Sequence, residues 1–207
     1  MAVGLFGGTF DPVHIAHLRI AEEVREAFSL EKIYFVPALI QPLKRAATGA
    51  DAADRVRMLE MATRSNSFFR TSRVEIERGG LSYSIDTVKL FSRRFDDIYF
   101  LLGLDAFRDI GLWKGCDELF RYANFVVMVR PGRRMEGFPE NLKGQVSAID
   151  GSSWEHATGK RIYLYYITQL DVSSTRIREL SSEGKSIRYL VPRQVETYIT
   201  KRGLYTE

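Results

Sequence analysis

The chain has 207 residues, of which 45% are hydrophobic and 27% are charged, and its formal net charge at pH 7 is +4. This size and composition indicate a soluble globular domain with a full core, without repeats or low-complexity tracts. No apolar run approaches the roughly 20 residues that span a bilayer, and we see no secretion signal at the N-terminus.

The charge and the cysteine content narrow the functional classes further. A mild positive excess favours small anionic ligands such as nucleotides, but it is too small to indicate a DNA- or RNA-binding protein. The single cysteine, Cys116, cannot form an internal disulfide, which fits a reducing compartment. We therefore expect a cytoplasmic protein that acts on a small anion.

Apolar strands alternate with helical segments, which predicts a Rossmann-like, doubly wound parallel sheet with helices on both faces. We expect a single domain spanning residues 1–207, with a C-terminal helical part at about 173–207. Strands are predicted at residues 3–6, 32–36, 68–76, 98–102, 125–129 and 162–167. Helices are predicted after residue 11 and at 51–64, 85–95, 175–182 and 192–202. Loops are predicted at 41–50 and 132–154.

The most informative stretch is GGTFDPVHIAHL, residues 7–18, which follows the first predicted strand. Its two leading glycines allow a sharp turn and a close backbone approach to a ligand, and Pro12 suits the first turn of a helix. His14 and His17 are two of only 3 histidines in the chain, and their spacing places them on one face of that turn. With free amides at the positive end of the helix, they predict a phosphate site. The alternative is that both histidines are ordinary helix-face residues.

This stretch resembles the signature G-x-F-D-P-x-H-x-G-H of the nucleotidyltransferase superfamily. The match departs at one position, where Ala16 replaces a glycine. The resemblance implies an ATP-binding role for Gly8, Thr9, Phe10, His14 and His17. It also implies that the two histidines are catalytic, because they donate hydrogen bonds to phosphate oxygens and stabilise charge.

A second segment, VSSTRIR at residues 172–178, lies in the last third of the chain. Its serines and threonine can cap a helix that begins near Thr175, and this role alone would explain them. The segment is also similar to the I-S-S-T-x-I-R motif with which the same superfamily closes its triphosphate site. The resemblance implies that Ser174, Thr175 and Arg178 hold the β- and γ-phosphates and that Arg178 is catalytic.

Four further features resemble the bacterial nicotinate-nucleotide adenylyltransferases. They are the threonine of GGTFDPVH and the segments LSYSIDT (81–87), GLDAFRDIGLWKG (103–115) and FVVMVRPGR (125–133). Together with the two phosphate motifs they cover the chain from end to end. The resemblance implies transfer of AMP from ATP to nicotinate mononucleotide, which gives deamido-NAD and pyrophosphate in NAD biosynthesis.

The same resemblance implies roles for residues outside the phosphate motifs. Trp113 would stack on the pyridine ring, backbone groups around Tyr83 and Ser84 would receive the nicotinate carboxylate, and Asp105 would bind the ATP ribose. The other implied residues are Gly103 for ATP and Thr9, Lys44, Arg130 and Arg133 for the mononucleotide. Without the motif, Trp113 could equally be a core residue, and Asp105 could be a helix N-cap.

The chain departs from this family in the loop after the second predicted strand. The family has P-P-H-K, whereas this chain has QPLK at 41–44, so Lys44 is retained and Leu43 replaces the histidine. We still expect Lys44 to pair with phosphate. We see no carboxylate cluster that would form a metal site of the protein itself, so we expect Mg²⁺ to arrive with ATP.

Two alternatives to this function stay open. The first is another small nucleotidyltransferase of the same fold, acting on nicotinamide mononucleotide or phosphopantetheine. The second is a nucleotide-binding regulator without turnover, although His14, His17 and Arg178 argue against it because a binder need not stabilise a transition state. The expected partners are ATP and nicotinate mononucleotide, with no nucleic acid and no membrane, and homo-oligomerisation is left open.

Overall fold

The computed structural model describes residues 1–43 and 49–206. They fall into two compact units, each assembled from separate stretches of chain. The first unit contains residues 1–7, 23–33 and 83–169, and the second contains residues 8–22 and the described residues of 34–82 and 170–207. A single domain over the whole chain stays a prediction.

The secondary structure follows the predicted alternation. The strands among the described residues are β1 (Ala2–Gly8), β2 (Lys32–Pro37), β3 (Phe69–Thr71), β4 (Asp97–Gly103), β5 (Asn124–Val129), β6 (Val146–Ala148), β7 (Ser153–His156) and β8 (Arg161–Tyr166). The helices are α1 (Ile15–Ala27), α2 (Ala52–Thr63), α3 (Val74–Arg78), α4 (Ser84–Ser92), α5 (Leu104–Arg108), α6 (Cys116–Leu119), α7 (Ser174–Ser182) and α8 (Arg193–Arg202). No helix in the described ranges has the length and apolar character needed to cross a membrane.

The first unit is built on a mostly parallel sheet with the strand order β1-β4-β5-β8-β7-β6. The strands β1, β4, β5 and β8 run parallel, with Leu5 opposite Phe100, Phe100 opposite Phe125, and Phe125 opposite Ile162. At the far edge, β7 pairs antiparallel with β8, and β6 pairs antiparallel with β7. All six residues of β5 are buried, as expected for an interior strand of a parallel sheet.

The residues around β1 are closely packed. Gly4 in β1 has no room for a Cβ atom, because the side chains of Leu30 and Ile33 pack against its Cα. The chain entering β2 lies beside β1, where the N–H of Glu31 donates to the carbonyl oxygen of Ala2 at 3.0 Å. The glycine therefore lets two segments of the first unit approach each other closely.

The second unit contains the end of β2, β3 and the C-terminal helices. β3 lies beside β2, and the N–H of Ser72 donates to the carbonyl oxygen of Phe35 at 2.8 Å. Asp51 caps α2 by accepting a hydrogen bond from the N–H of Asp54 at 2.7 Å. The predicted helices at 175–182 and 192–202 correspond to α7 and α8.

Two stretches differ from the prediction. Residues 68–76 do not form one strand, because β3 ends at Thr71 and α3 begins at Val74. The alternating sequence VEIE resembles a strand, but two glycines with φ of 75° and 69° follow it and end a short helix instead. Residues 132–154 are not only loop, since they contain β6 and the start of β7, whose few polar residues give little strand signal.

Candidate active site

The predicted phosphate loop lies in the second unit and connects β1 to α1. The helix begins later in the chain than the sequence predicted. Phe10 has φ of 50°, and the peptide bond between Asp11 and Pro12 is cis. Helix α1 begins only at Ile15, so the prediction that Pro12 and His14 belong to its first turn is wrong. Because the tight turn continues through residue 12, His14 lies just before the helix and His17 lies within its first turn.

The two histidines form a stacked pair. Their ring centroids lie 3.6 Å apart with an interplanar angle of 24°, and the N–H of His14 donates to Nδ1 of His17 at 3.2 Å. The ring of Phe10 contacts His17 edge-on at 5.0 Å. Burial, and secondly the charge of His14, hold the pKa of His17 well below its usual value. His17 is therefore neutral at pH 7, and because Nδ1 accepts a hydrogen bond, its proton lies on Nε2.

One predicted feature of this helix terminus is wrong. The N–H of Ile15 is not free for a phosphate, because it donates to the carbonyl oxygen of Leu190 at 3.0 Å. The first amide of α1 is thus used to attach the segment that precedes α8.

Asp11 is the centre of a hydrogen-bond network beneath this loop. Its side chain is 4% exposed and accepts hydrogen bonds from the N–H groups of Gly49 and Ala50, at 2.7 and 3.0 Å. The hydroxyl of Tyr205 donates to the same carboxylate at 2.8 Å, and Arg178 forms an ion pair with it at 3.8 Å. A carboxylate satisfied in this way can be buried without a large penalty.

The second motif is joined to this loop by hydrogen bonds. Nη1 of Arg178 donates to the carbonyl oxygen of Asp11 at 2.7 Å, and Nη2 donates to Oγ1 of Thr175 at 3.3 Å. The hydroxyl of Ser174 donates to the carbonyl oxygen of Pro12 at 2.9 Å. The N-cap of α7 is the preceding serine, Ser173, whose Oγ accepts from the N–H of residue 176 at 3.2 Å. Capping therefore does not explain the hydroxyls at 174 and 175.

Arg55 in α2 is a buried residue that contacts this loop and that the sequence did not predict. Its side chain is 1% exposed, and Nη1 donates to the carbonyl oxygens of Thr9 and Ala38 at 2.8 and 2.7 Å. A longer hydrogen bond of 3.5 Å joins Nη2 to the carbonyl oxygen of Leu39. Burial lowers the pKa of the guanidinium, and the charge of Asp11 opposes this shift. Arg55 thus holds together the backbone that follows β1 and the backbone that follows β2. Its place on the inward face of α2 does not identify these partners from the sequence.

A second group of predicted residues lies together in the first unit. Tyr83 is the N-cap residue of α4, so Ser84 begins that helix. Nζ of Lys114 lies 4.3 Å from the centroid of the Tyr83 ring and 3.9 Å from Oδ2 of Asp86. Trp113, which precedes this lysine, is half-buried and packs edge-on against Phe100 with ring centroids 6.0 Å apart. Trp113 is therefore not a fully buried core residue, and Lys114 is a cation that the sequence reasoning overlooked.

The other predicted residues of the first unit follow adjacent parallel strands. Gly103 ends β4 and is the N-cap of α5, which rules out the alternative that Asp105 caps this helix. The Asp105 side chain is 98% exposed and lies 3.6 Å from Nη1 of Arg108. Arg130 and Arg133 are exposed in a turn after β5, where the N–H of the second donates to the carbonyl oxygen of the first at 3.0 Å. Lys44 lies outside the described residues.

Metal ligands and overall charge give little further information about the location of the active site. Across residues 1–43 and 49–206, no group of three or more His, Cys, Asp or Glu side chains could hold a metal ion. A groove of about 1260 Å³ in the second unit is lined by none of the predicted site residues. Its lining carries five basic residues and one acidic residue, a balance equal to the net charge of the whole chain.

Comparisons with known proteins agree with this architecture. The family model described as cytidylyltransferase-like matches residues 5–180. A relative from Pelobacter propionicus named "Probable nicotinate-nucleotide adenylyltransferase" is 40% identical over 214 residues, covering 100% of this chain and 99% of the relative. A relative of the same name from Geotalea uraniireducens is 42% identical over 215 residues, with the same coverage.

The fold is also found in a solved structure. The nicotinic acid mononucleotide adenylyltransferase of Plasmodium falciparum, complexed with NaAD, superposes with a TM-score of 0.73 at 19% identity, covering 99% of this chain and 97% of that one. These findings confirm the predicted Rossmann-like fold of a nucleotidyltransferase. The chain therefore belongs to the cytidylyltransferase-like family and, within it, to the nicotinate-nucleotide adenylyltransferases.

Proposed function

We propose that the protein transfers AMP from ATP to nicotinate mononucleotide, releasing pyrophosphate and forming deamido-NAD for NAD biosynthesis. The observation that carries this proposal is full-length similarity, at 40% and 42% identity, to relatives named for this activity. The hydrogen bonds that join the signature loop to α7 support it, because they bring the histidine pair and a guanidinium into one unit. The cytoplasm, suggested by the single cysteine, is the proposed location.

The phosphate-binding part of the site is assigned to the second unit. In our proposal, Gly8, Thr9 and Phe10 place the backbone close to the triphosphate, and Ser174, Thr175 and Arg178 hold its outer phosphates. Arg178 suits this role because its guanidinium is already oriented by Asp11 and offers donors in a fixed plane. Thr175 is exposed, and its Oγ1 already accepts a hydrogen bond from that guanidinium.

The reaction requires no nucleophile from the protein. An oxygen of the 5′-phosphate of the mononucleotide attacks the α-phosphorus of ATP in line, and the bond from this phosphorus to the pyrophosphate breaks. Catalysis is then positioning and charge stabilisation. His17 is proposed to donate its Nε2 proton in a hydrogen bond to an α-phosphate oxygen as negative charge accumulates there. His14 is proposed as a second donor and also orients His17 through its main-chain N–H.

Most of the residues proposed for the mononucleotide belong to the first unit, whereas Thr9 belongs to the second unit and Lys44 is added from the sequence. Trp113 offers a half-buried indole on which a pyridinium ring would stack. Backbone groups at Tyr83 and Ser84, at the start of α4, would receive the nicotinate carboxylate at the positive end of the helix dipole. Thr9, Arg130 and Arg133 are further proposed contacts of the mononucleotide, Asp105 is assigned to the ATP ribose, and Gly103 is proposed as a further ATP contact.

A divalent cation belongs to the chemistry of this family. In our proposal the cation is Mg²⁺, held by ATP phosphate oxygens and water, since the described residues do not form a cage for it. Bound in this way, it would neutralise negative charge on the triphosphate and on the leaving pyrophosphate. The protein side chains named above orient the phosphates around it.

The proposal is tested by product analysis. The purified protein is incubated with ATP, MgCl₂ and nicotinate mononucleotide, and pyrophosphate and deamido-NAD are quantified by coupled assay and chromatography. We expect the two products in equal amounts and neither product when the mononucleotide is omitted. Pyrophosphate without the dinucleotide, or nucleotide binding without any turnover, would show that the protein is a different enzyme or a regulator.

A further inference from the structure

The C-terminal tail turns back onto the signature loop within the second unit. Helix α8 ends at Arg202, and Gly203 adopts the left-handed conformation with φ of 60°. Its N–H donates to the carbonyl oxygen of Ile199, and the following N–H, of Leu204, reaches the same oxygen at 3.1 Å. The reversal directs Tyr205 toward Asp11, whose carboxylate accepts its hydroxyl hydrogen bond at 2.8 Å.

The environment of Tyr205 keeps this hydroxyl a donor. Burial, and secondly the negative charge of Asp11, raise the pKa of Tyr205 far above its usual value. The phenol is therefore protonated throughout the neutral range and donates to the carboxylate. A buried carboxylate depends on each of its donors, because the low dielectric penalises any that is lost.

Gly49 shows how closely the elements of this network pack. A Cβ atom at this glycine would lie 2.8 Å from Cδ of Arg178 and 2.9 Å from the ring of Tyr205. The N–H of the same glycine donates to Asp11 at 2.7 Å. The tail tyrosine, the α7 arginine and residue 49 therefore meet around one carboxylate, and a shift in any of them displaces the others.

We propose that Tyr205 is a positioning residue for AMP transfer: its hydroxyl fixes the Asp11 carboxylate, which in turn holds the Arg178 guanidinium in the orientation that binds the triphosphate. This inference rests on the proposed function and extends it to the last residues of the chain. Without the hydroxyl, the carboxylate keeps the N–H groups of residues 49 and 50 but loses one of its donors, so it interacts more strongly with the guanidinium and draws it away from the phosphates. A displacement of well under 1 Å is enough to reduce turnover.

The test is Tyr205→Phe, with Tyr198→Phe as a matched control. Tyr198 also donates its hydroxyl to a buried aspartate at 2.7 Å, but this aspartate, Asp54, lies in α2 and not in the signature loop. Both changes remove one tyrosine–aspartate hydrogen bond from the same unit. We expect Tyr205→Phe to lower kcat about tenfold with a smaller change in the KM for ATP, and the control to keep wild-type kcat within about twofold.

A second pair of variants distinguishes positioning from structural support. If Tyr205 acts through Arg178, Tyr205→Phe should change kcat less than about twofold in an Arg178→Ala background. Kcat for Tyr205→Phe within twofold of wild type, an equal loss in the control, or the same tenfold loss without Arg178 would each overturn the inference. Thermal melts of all variants show whether the folded fraction is the same.

A failure of the proposed function can be distinguished from a failure of this inference. If the wild type does not turn over nicotinate mononucleotide, the function is wrong, and the positioning role is then judged by calorimetric ATP affinity. In that case we expect Tyr205→Phe, and not Tyr198→Phe, to weaken ATP binding, and only when Arg178 is present. Equal ATP affinity in wild type and Tyr205→Phe would overturn the inference.

Discussion

The main-chain N–H of His14 donates to Nδ1 of His17 at 3.2 Å, and the two imidazole rings stack 3.6 Å apart. This contact selects the tautomer of His17, and burial, with a second contribution from the charge of His14, keeps the imidazole neutral. A neutral donor with a fixed orientation costs little reorganisation when charge develops on a phosphate. The pair therefore links the local backbone conformation to the proposed chemistry.

His17→Ala should lower kcat much more than it raises the KM for ATP. The reason is that a donor directed at growing charge acts mainly in the transition state. By comparison with removal of one preorganised donor, the loss should be on the order of 10²–10³ in kcat. His17→Asn, which keeps a neutral N–H donor, should recover part of it. Steady-state kinetics that gave a normal kcat with a raised KM would make His17 a simple binding residue.

Folding stability should fall on mild acidification, partly because of His17. Its folded-state pKa lies below the unfolded value of about 6.5, so the unfolded chain binds a proton that the folded protein excludes. This contribution is fully present above pH 6.5 and is lost as the pH falls below it. His156, whose pKa is also lowered by burial, should act in the same direction.

Urea unfolding at pH 7.5 and 5.5 measures this effect. We expect the wild type to be less stable at the lower pH, and His17→Asn to show a smaller difference between the two values. His156→Asn serves as the comparison for the second group. An unchanged pH dependence in the His17 variant would mean that its imidazole ionises alike in the folded and unfolded states.

Trp113→Ala should impair use of the mononucleotide more than binding of ATP. A lost stacking platform typically costs about 1–3 kcal/mol per base, which corresponds to a rise of about five- to 150-fold in KM for the mononucleotide. Leu112→Ala is the control, because this neighbouring side chain is 71% exposed. Separate titrations of both substrates provide the measurement, and equal losses of affinity for ATP and mononucleotide would identify Trp113 as a structural residue.

Arg55→Met should destabilise the protein because it leaves buried carbonyl groups without their donor. With two short hydrogen bonds lost, at about 1–3 kcal/mol for each unsatisfied group, we expect a loss of about 3 kcal/mol. Arg57→Met, two residues further on and 58% exposed, should cost less than about 1 kcal/mol. Urea denaturation compares the two, and equal losses would contradict the role assigned to Arg55.

The sequence predicted the main strands because their apolar runs are long and bounded by turn residues. β4 and β5 are of this kind, and both are largely buried. It failed where a few polar residues take their conformation from neighbours, as in β7, whose pairing with β8 supplies the missing signal. The sequence also misplaced the start of α1, because the position of a proline does not by itself predict the backbone conformation of residues 10–12.

The site residues likewise divide into those that a local sequence pattern predicts and those that depend on tertiary contacts. Residues in ordered motifs, such as His17 and Arg178, can be predicted as site residues from the sequence because their spacing is distinctive. Arg55 and Tyr205 could not, since their contacts with the loop span 46 and 194 residues of chain. A buried arginine in an amphipathic helix and a tyrosine near the C-terminus have no local pattern that identifies their partners. Only the tertiary structure shows that they hold the signature loop.

The specificity for nicotinate mononucleotide is the central claim, and a competition between substrates tests it most directly. The values of kcat/KM are measured for nicotinate mononucleotide, nicotinamide mononucleotide and phosphopantetheine at fixed ATP and MgCl₂. We predict that nicotinate mononucleotide exceeds the other two by at least about tenfold, because only its ring carries a carboxylate, whose two negatively charged oxygens both accept from the amides at the start of α4. Equal use of the two pyridine nucleotides, or preference for phosphopantetheine, would contradict the account.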